Sequence, residues 1–235
     1  MNYLWSVASH KGLVRSTNQD AFFPEVAGRG PGPILVIVAD GMGGAVAGDV
    51  ASRLAVEAAT KGGATPAEKV ARANEAVYQE AMRNPAIAGM GTTMTLAVIA
   101  PDGHSMMGHV GDSRAYLLRG GHIQRLTRDH TVVEEYVEAG RISPTEVSSH
   151  PQRHMLTRVL GLTRNVPVDA TELQLQVGDR LLLCSDGLTV GLEDDQIADL
   201  LGTGSPEESV WAMVEAANGA GGIDNVTVLV VDVLP

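Results

Sequence analysis

Apolar positions along this chain follow two periods. Residues 34–39, 180–185 and 226–233 form short, strongly apolar runs, rich in branched side chains and bounded by Gly, Asp or Asn. Runs of that length and edging predict buried strands. Residues 92–99 and 105–110 flank Pro101-Asp102-Gly103 and predict a hairpin, and 115–118 with 122–126 predict a second across Gly120-Gly121. Between the first strand and the first hairpin the period changes. The Ala-rich stretches 45–60 and 66–83 place apolar residues such as Val46, Val50 and Leu54 four apart, which predicts amphipathic helices packed on one face. Thr65 ahead of Pro66 supplies an N-cap and a proline in the first turn. A third helix is predicted over 205–218, closing at the glycine-rich turn 219–222.

The order is strands, two helices, hairpins, an irregular stretch from about 131 to 166, then strands and helices again. It fits mostly antiparallel sheets covered by helices better than alternating parallel units. The predicted fold class is therefore α+β. No internal repeat or low-complexity linker divides the chain, and 28–33 reads as a loop, so residues 1–235 are expected to form one domain.

Aromatic residues make up 3% of the chain, so the core must be built from Val, Leu, Ile, Ala and Met. A formal net charge of -11 excludes nucleic acid as the main partner, because phosphate backbones are bound by clustered Lys and Arg. It leaves room for a single phosphate, since one Arg or a metal ion reverses the local field. The one cysteine, Cys184, lies in an apolar run and reads as a buried small hydrophobe. No basic segment followed by an apolar stretch opens the chain, and no apolar run approaches the roughly 20 residues of a membrane span. A cytoplasmic, membrane-free protein is the expectation.

The candidate chemistry lies in scattered aspartates. Asp40 follows the first apolar run and precedes Gly41-Met42-Gly43-Gly44, so its carboxylate should emerge at a strand end where the backbone turns sharply. Asp186 repeats the arrangement in Ser185-Asp186-Gly187. Asp224 and Asn225 stand at the start of the last strand, Asp20 ends Arg15-Ser16-Thr17-Asn18-Gln19-Asp20, and Asp112 sits in Gly111-Asp112-Ser113-Arg114 between two strands. Singly, each is an ordinary turn or cap residue. If they converge, their repulsion must be neutralised, and clustered carboxylates suit hard cations such as Mg²⁺ or Mn²⁺. Spacing alone does not show convergence.

Eight segments, in this order, resemble the successive motifs of the PPM family of metal-dependent protein serine/threonine phosphatases, the type 2C-like enzymes. They are Arg15 through Asp20, Asp40 through Gly44, Gly91-Thr92-Thr93, Gly111 through Tyr116, Thr127-Arg128-Asp129-His130, Leu156 through Gly161, Ser185-Asp186-Gly187 and Asp224-Asn225. The resemblance covers nearly the whole chain. It implies a central sandwich of two antiparallel β-sheets flanked by helices, with metals in a cleft at one end and a flap at about 131–166 where specificity would lie. It implies that Asp40 bridges two tightly bound ions, with the Gly41 carbonyl on one and Asp20, Asp186 and Asp224 around the other. Asp112, with Asp186, matches the position of a third, weaker metal in bacterial members. Arg15 matches the phosphate-binding Arg. The implied reaction is hydrolysis of phosphoserine and phosphothreonine by a metal-activated water, with no covalent phosphoenzyme. Phosphorylated proteins, a cognate Ser/Thr kinase and a monomeric state complete that picture.

One position departs from the family. Many eukaryotic relatives carry His where Met42 stands, and methionine cannot donate a proton to the leaving alkoxide. His130 and His104 are possible replacements that no sequence feature singles out. His150 and His154 are spaced i, i+4, but Pro151 lies between them and no Glu completes a zinc-protease pattern, so they read as loop or surface residues. Ser185 lacks a nucleophile elbow. A non-catalytic phosphopeptide module and a single-substrate partner-switching phosphatase are the alternatives; turnover of an aryl phosphate separates the first from an enzyme, and substrate competition the second.

Overall fold

The computed structural model describes residues 1–44 and 47–235. The first half of the chain runs β1 (Asn2–His10), β2 (Asp20–Phe23), β3 (Gly28–Gly30), β4 (Ile34–Met42), α1 (Ala47–Thr60) and α2 (Pro66–Arg83). Next come β5 (Gly91–Thr92), β6 (Met94–Ile99), β7 (His104–Val110), β8 (Arg114–Arg119), β9 (His122–Arg125) and α3 (Val132–Glu138). The last part holds β10 (Asp169–Gln174), β11 (Arg180–Cys184), α4 (Asp186–Thr189), α5 (Asp194–Leu201), α6 (Pro206–Gly219) and β12 (Val226–Leu234). One sheet has the order β3-β1-β12-β11-β8-β9; the other has β10-β7-β6-β4-β2, with β5 paired to β4. Every strand pairing is antiparallel.

The two sheets pack face to face and each carries helices on its outer face, so the central strands are buried on both sides. Val36 and Val38 point between the sheets while Ile37 and Ala39 point at α1 and α2. Leu181 and Leu183 likewise face the other sheet, and Leu182 and Cys184 face the helices of the C-terminal third. Two buried faces explain why these antiparallel strands read as strongly apolar runs instead of alternating ones. The α+β sandwich expected from the resemblance is the fold observed.

Local chemistry fixes the helices. Thr65 accepts the Glu68 N–H and Glu68 returns a bond to the cap, with Pro66 in the first turn of α2. Ser205 and Glu208 make the same reciprocal box on α6. Small residues line the buried face of α1, where Ala51, Ser52 and Ala55 let it lie close to β4.

Several boundaries differ from the sequence reading. Residues 92–99 are not one strand: the run breaks at Thr93, which leaves the ladder to bond the backbone of β4. The 28–33 loop contains β3, a three-residue edge strand at which a Cβ on Gly28 would come within 2.4 Å of the Trp5 ring. The irregular 131–166 stretch contains α3, capped by Thr131. Ala45 and Val46 of the first predicted helix lie outside the described residues.

Leu183→Ala, which empties space between the sheets, should cost about 2–5 kcal/mol. Leu13→Ala, at a loop position 65% exposed, should stay within ~0.5 kcal/mol. Denaturant unfolding of the two variants measures the contrast.

Candidate functional site

All five predicted acidic residues come to one end of the sandwich, and they arrive from both sheets. In the sheet ordered around β4, Asp20 opens β2 and lies directly opposite Asp40 in the antiparallel register. Asp186 begins α4 just after β11, and Asp224 precedes β12, in the other sheet. Asp112 lies in the turn between β7 and β8, where the chain crosses from one sheet to the other. A cleft of ≈ 550 Å³ is lined by Arg15, Asp40, Gly41, Asp112, Asp186 and Asp224, among others.

The backbone around Asp40 is held with unusual completeness. Its N–H donates to Thr93 Oγ1 at 2.9 Å, and its carbonyl accepts the Thr93 N–H at 2.8 Å and the Thr92 hydroxyl at 2.8 Å. Next to it, Gly41 tolerates no side chain, because a Cβ there would lie 2.1 Å from the Gly48 carbonyl of α1. This close approach is why position 41 must be glycine. Gly187 is bound in the same way, its Cβ position falling 2.0 Å from the Asn225 carbonyl.

The buried carboxylate of Asp20 accepts hydroxyl hydrogen bonds on Oδ2, from Ser185 at 2.8 Å and Thr227 at 2.7 Å. Its Oδ1, like Asp186 Oδ1, is buried without a partner. Burial, opposed by those two hydroxyls and reinforced by Asp186 and Asp224, pushes the Asp20 carboxyl up to about 7. Burial first, then Asp20, Asp186 and Asp112, holds Asp40 well above the usual carboxylate range. Asp112 and Asp186 are raised in the same sense, again by burial first. Asp40 and Asp186 each act on the other's protonation.

Arg15 Nη2 donates to Asp224 Oδ2 at 2.6 Å, with about half of the Arg15 side chain exposed. Its other guanidinium donors have no hydrogen-bond partner among the described residues and are available to an anion entering the cleft. Asn225 builds the loop that carries Arg15: its Oδ1 accepts the Gln19 N–H at 2.8 Å, and its Nδ2 donates to the Lys11 and Thr17 carbonyls at 2.9 Å each.

A surplus of buried negative charge, with orphaned carboxylate oxygens, calls for cations, and an all-oxygen donor set suits Mg²⁺ or Mn²⁺. Among the described residues no three acidic, imidazole or thiol groups are already closed into a metal cage; the carboxylates face a shared cleft, and a bound ion would draw them in. The residues present fit such ions.

Histidines are placed less simply. His104 lies at the far end of β7 from Asp112. His130 is 2% exposed and is not among the residues lining the cleft. His154 is exposed in a loop, as expected, yet it lines the same cleft as Asp186. Met42 is 38% exposed at the end of β4. The supporting roles of Thr93, Ser185, Thr227 and the Asn225 amide were not read from the sequence, although their motifs held every one of these residues except Thr227.

The raised carboxyl pKa values set a pH dependence. Since Asp20 titrates at about 7 when folded and at 3.8 ordinarily, the folded protein holds protons that the unfolded chain has already released. That contribution favours folding fully below the ordinary value and is lost as pH rises through the window up to about 7. Metal-free protein should therefore melt at falling temperature across this window, Asp20→Asn should reduce the slope, and saturating Mn²⁺ should oppose it. A melting temperature that climbs in metal-free protein would contradict a buried, mutually repelling set.

Comparison with known proteins adds an independent line. A family described as protein phosphatase 2C matches residues 10–220. The serine/threonine protein phosphatase PstP of Mycobacterium tuberculosis is 38% identical over 239 residues, covering 98% of this chain and 45% of that protein. The protein phosphatase PhpP of Streptococcus pneumoniae is 36% identical over 242 residues, covering 96% of each. The crystal structure of the PstP catalytic domain in complex with two manganese ions superposes with a TM-score of 0.88 at 35% identity, covering 100% of both chains. The chain thus spans under half the length of the mycobacterial relative it matches.

Proposed function

The chain belongs to the protein phosphatase 2C family, and we propose that it is a metal-dependent phosphatase acting on phosphoserine and phosphothreonine in proteins. The observation that carries this reading is the gathering of Asp20, Asp40, Asp112, Asp186 and Asp224 with Arg15 at one cleft. Asp40, the Gly41 carbonyl, Asp20, Asp186 and Asp224 would hold two ions, with Asp40 contributing to both, and Asp112 with Asp186 would hold a third, weaker one. Manganese is bound by the superposed PstP domain; Mg²⁺ has the same oxygen preference. Bound divalent ions supply Lewis acidity toward the phosphoryl oxygens and a nucleophilic water.

The chain's own groups do the rest. Arg15 grips phosphoryl oxygens with the donors that Asp224 leaves open, and charge-assisted bonds of this kind strengthen as charge grows on the phosphoryl group. Asp224 aims that guanidinium. Met42 lines the cleft as an apolar wall and moves no proton. His130 is tied by both ring nitrogens away from the cleft, so the imidazole available at the cleft is His154. Residues 1–235 form the catalytic unit, the 131–166 segment is its flap, and one chain supplies the whole site, which suits a monomer. Phosphoproteins and an opposing Ser/Thr kinase are its partners on this reading. No described helix is long and apolar enough to cross a membrane.

The protein of residues 1–235 should hydrolyse p-nitrophenyl phosphate and phosphopeptides with added Mn²⁺ and stop with excess chelator. Full activity in protein shown to be metal-free, or no turnover of either substrate, would refute the proposal. Asp40→Asn should abolish turnover together with tight Mn²⁺ binding by calorimetry.

Arg15→Ala should leave Mn²⁺ stoichiometry unchanged. The loss of a charged hydrogen bond, about 1.5–3 kcal/mol, predicts a fall in phosphopeptide kcat/KM of roughly 10- to 150-fold. Unchanged kinetics would return Arg15 to an ordinary loop role.

A further inference from the structure

A buried imidazole lies behind the Asp112 turn. His130 comes from the segment after β9 and is 2% exposed. Its backbone N–H donates to the Gly111 carbonyl at 2.8 Å, and its own carbonyl accepts the Thr157 N–H at 2.8 Å. In return, the Gly111 N–H donates to His130 Nδ1 at 3.0 Å. A ring nitrogen that accepts carries no proton, so the proton of the neutral ring sits on Nε2, facing Asp169 Oδ2 at 3.1 Å. Arg158 Nη1 donates to the other oxygen of Asp169 at 2.7 Å and fixes that carboxylate.

The peptide held in this way is the one that aims Asp112. Gly111 has φ of +110°, a conformation that favours glycine, and a Cβ there would lie 2.5 Å from the Thr93 side chain. With no side chain at Gly111, that peptide takes its orientation from the bonds its own N–H and carbonyl make. A buried histidine that merely filled space would need no directed bond at either nitrogen. This one has both, and the acceptor faces the residue next to a proposed metal ligand.

We infer that His130 is a positioning residue: its Nδ1 fixes the Gly111 peptide and thereby the Asp112 carboxylate, and its carbonyl ties that arrangement to the flap at Thr157. The catalytic consequence rests on the proposed phosphatase reading; the geometric claim does not.

Two substitutions separate the ring's two bonds. His130→Asn keeps an acceptor near the place of Nδ1 and loses the link to Asp169. His130→Gln keeps a donor near the place of Nε2 and loses the link to Gly111. Both leave comparable space, so comparing them cancels the cost of the lost ring. In the full chain, His130→Asn should retain slow hydrogen exchange at the Gly111 amide and near-normal Mn²⁺ binding. His130→Gln should exchange that amide faster and weaken the weakest Mn²⁺ site by about 10- to 100-fold, the usual effect of removing a ligand's support. Its kcat on phosphopeptides should fall while KM stays unchanged.

Equal behaviour of the two variants, or a His130→Gln protein indistinguishable from wild type, overturns the inference. Should His130→Gln fail to fold, Asp169→Ala carries the test from a half-exposed position. It frees the ring to turn, so unchanged protection of the Gly111 amide would then refute the role. If the wild-type protein turns over no phosphorylated substrate, the phosphatase reading falls, while the exchange contrast still decides the positioning claim.

Discussion

Repulsion among buried carboxylates at the end of the sandwich is the constraint to which the rest of this structure is fitted. Asp20, Asp40, Asp112 and Asp186 are each driven toward the protonated form, by burial first and, in part, by one another. Left to side-chain forces they would move apart. They stay because backbone fixes each of them: Asp40 in a ladder opposite Asp20, Asp186 at the head of α4, Asp112 in a glycine turn. That backbone is held by strands buried on both faces, whose apolar burial contributes about 25 cal/mol per Å² and offsets the local strain of the site. The apolar layers on both faces of the sheets and the acidic cleft are one arrangement, in which surplus packing energy holds charge that a cation can neutralise.

Legibility followed the same division. Asp40 and Asp186 could be read because each closes an apolar run and is followed by glycine, so strand, turn and carboxylate appear together in one stretch of chain. The pairing of Asp20 with Asp40 could not, since β2 is four residues long and its register is set by packing and not by pattern. β10 was missed because Asp169, Ala170, Thr171 and Glu172 are all exposed and present no apolar period. Thr93 sat inside a run that reads as a strand, and only its bonds to Asp40 show that the ladder must break there. His130 had no signal beyond its motif. Its importance depends on which ring nitrogen meets Gly111, and that is a tertiary fact.

The charge of the whole chain and the charge of its site point in different directions. A formal net charge of -11 would repel a phosphorylated substrate at long range, yet screening limits that repulsion to about 10 Å or less in ordinary salt. Within the cleft the balance changes with occupancy. Asp224 takes part of the Arg15 charge at 2.6 Å, and each cation held by the aspartates shifts the cleft toward accepting an anion. On the proposed reading, metal loading and substrate affinity are therefore coupled through shared carboxylates.

The three outer carboxylates differ in how firmly the fold holds them, and the difference follows from topology. Asp40 lies within a paired strand and Asp186 on the first turn of a helix, so ladder and helix bonds set their directions. Asp112 belongs to the crossing between β7 and β8, where the chain leaves one sheet and enters the other and no ladder supports it. Its support must come from neighbours that bridge the sheets. Thr93 Oγ1 meets Ser113 Oγ at 2.7 Å on one side, and His130 takes the Gly111 N–H on the other. Because His130 also accepts from Thr157, the flap and the Asp112 turn share one rigid link, and a displacement of the flap must move the turn or break that bond. The least firmly held of these three carboxylates is thereby the one mechanically connected to the segment beside the cleft where a protein substrate would lie.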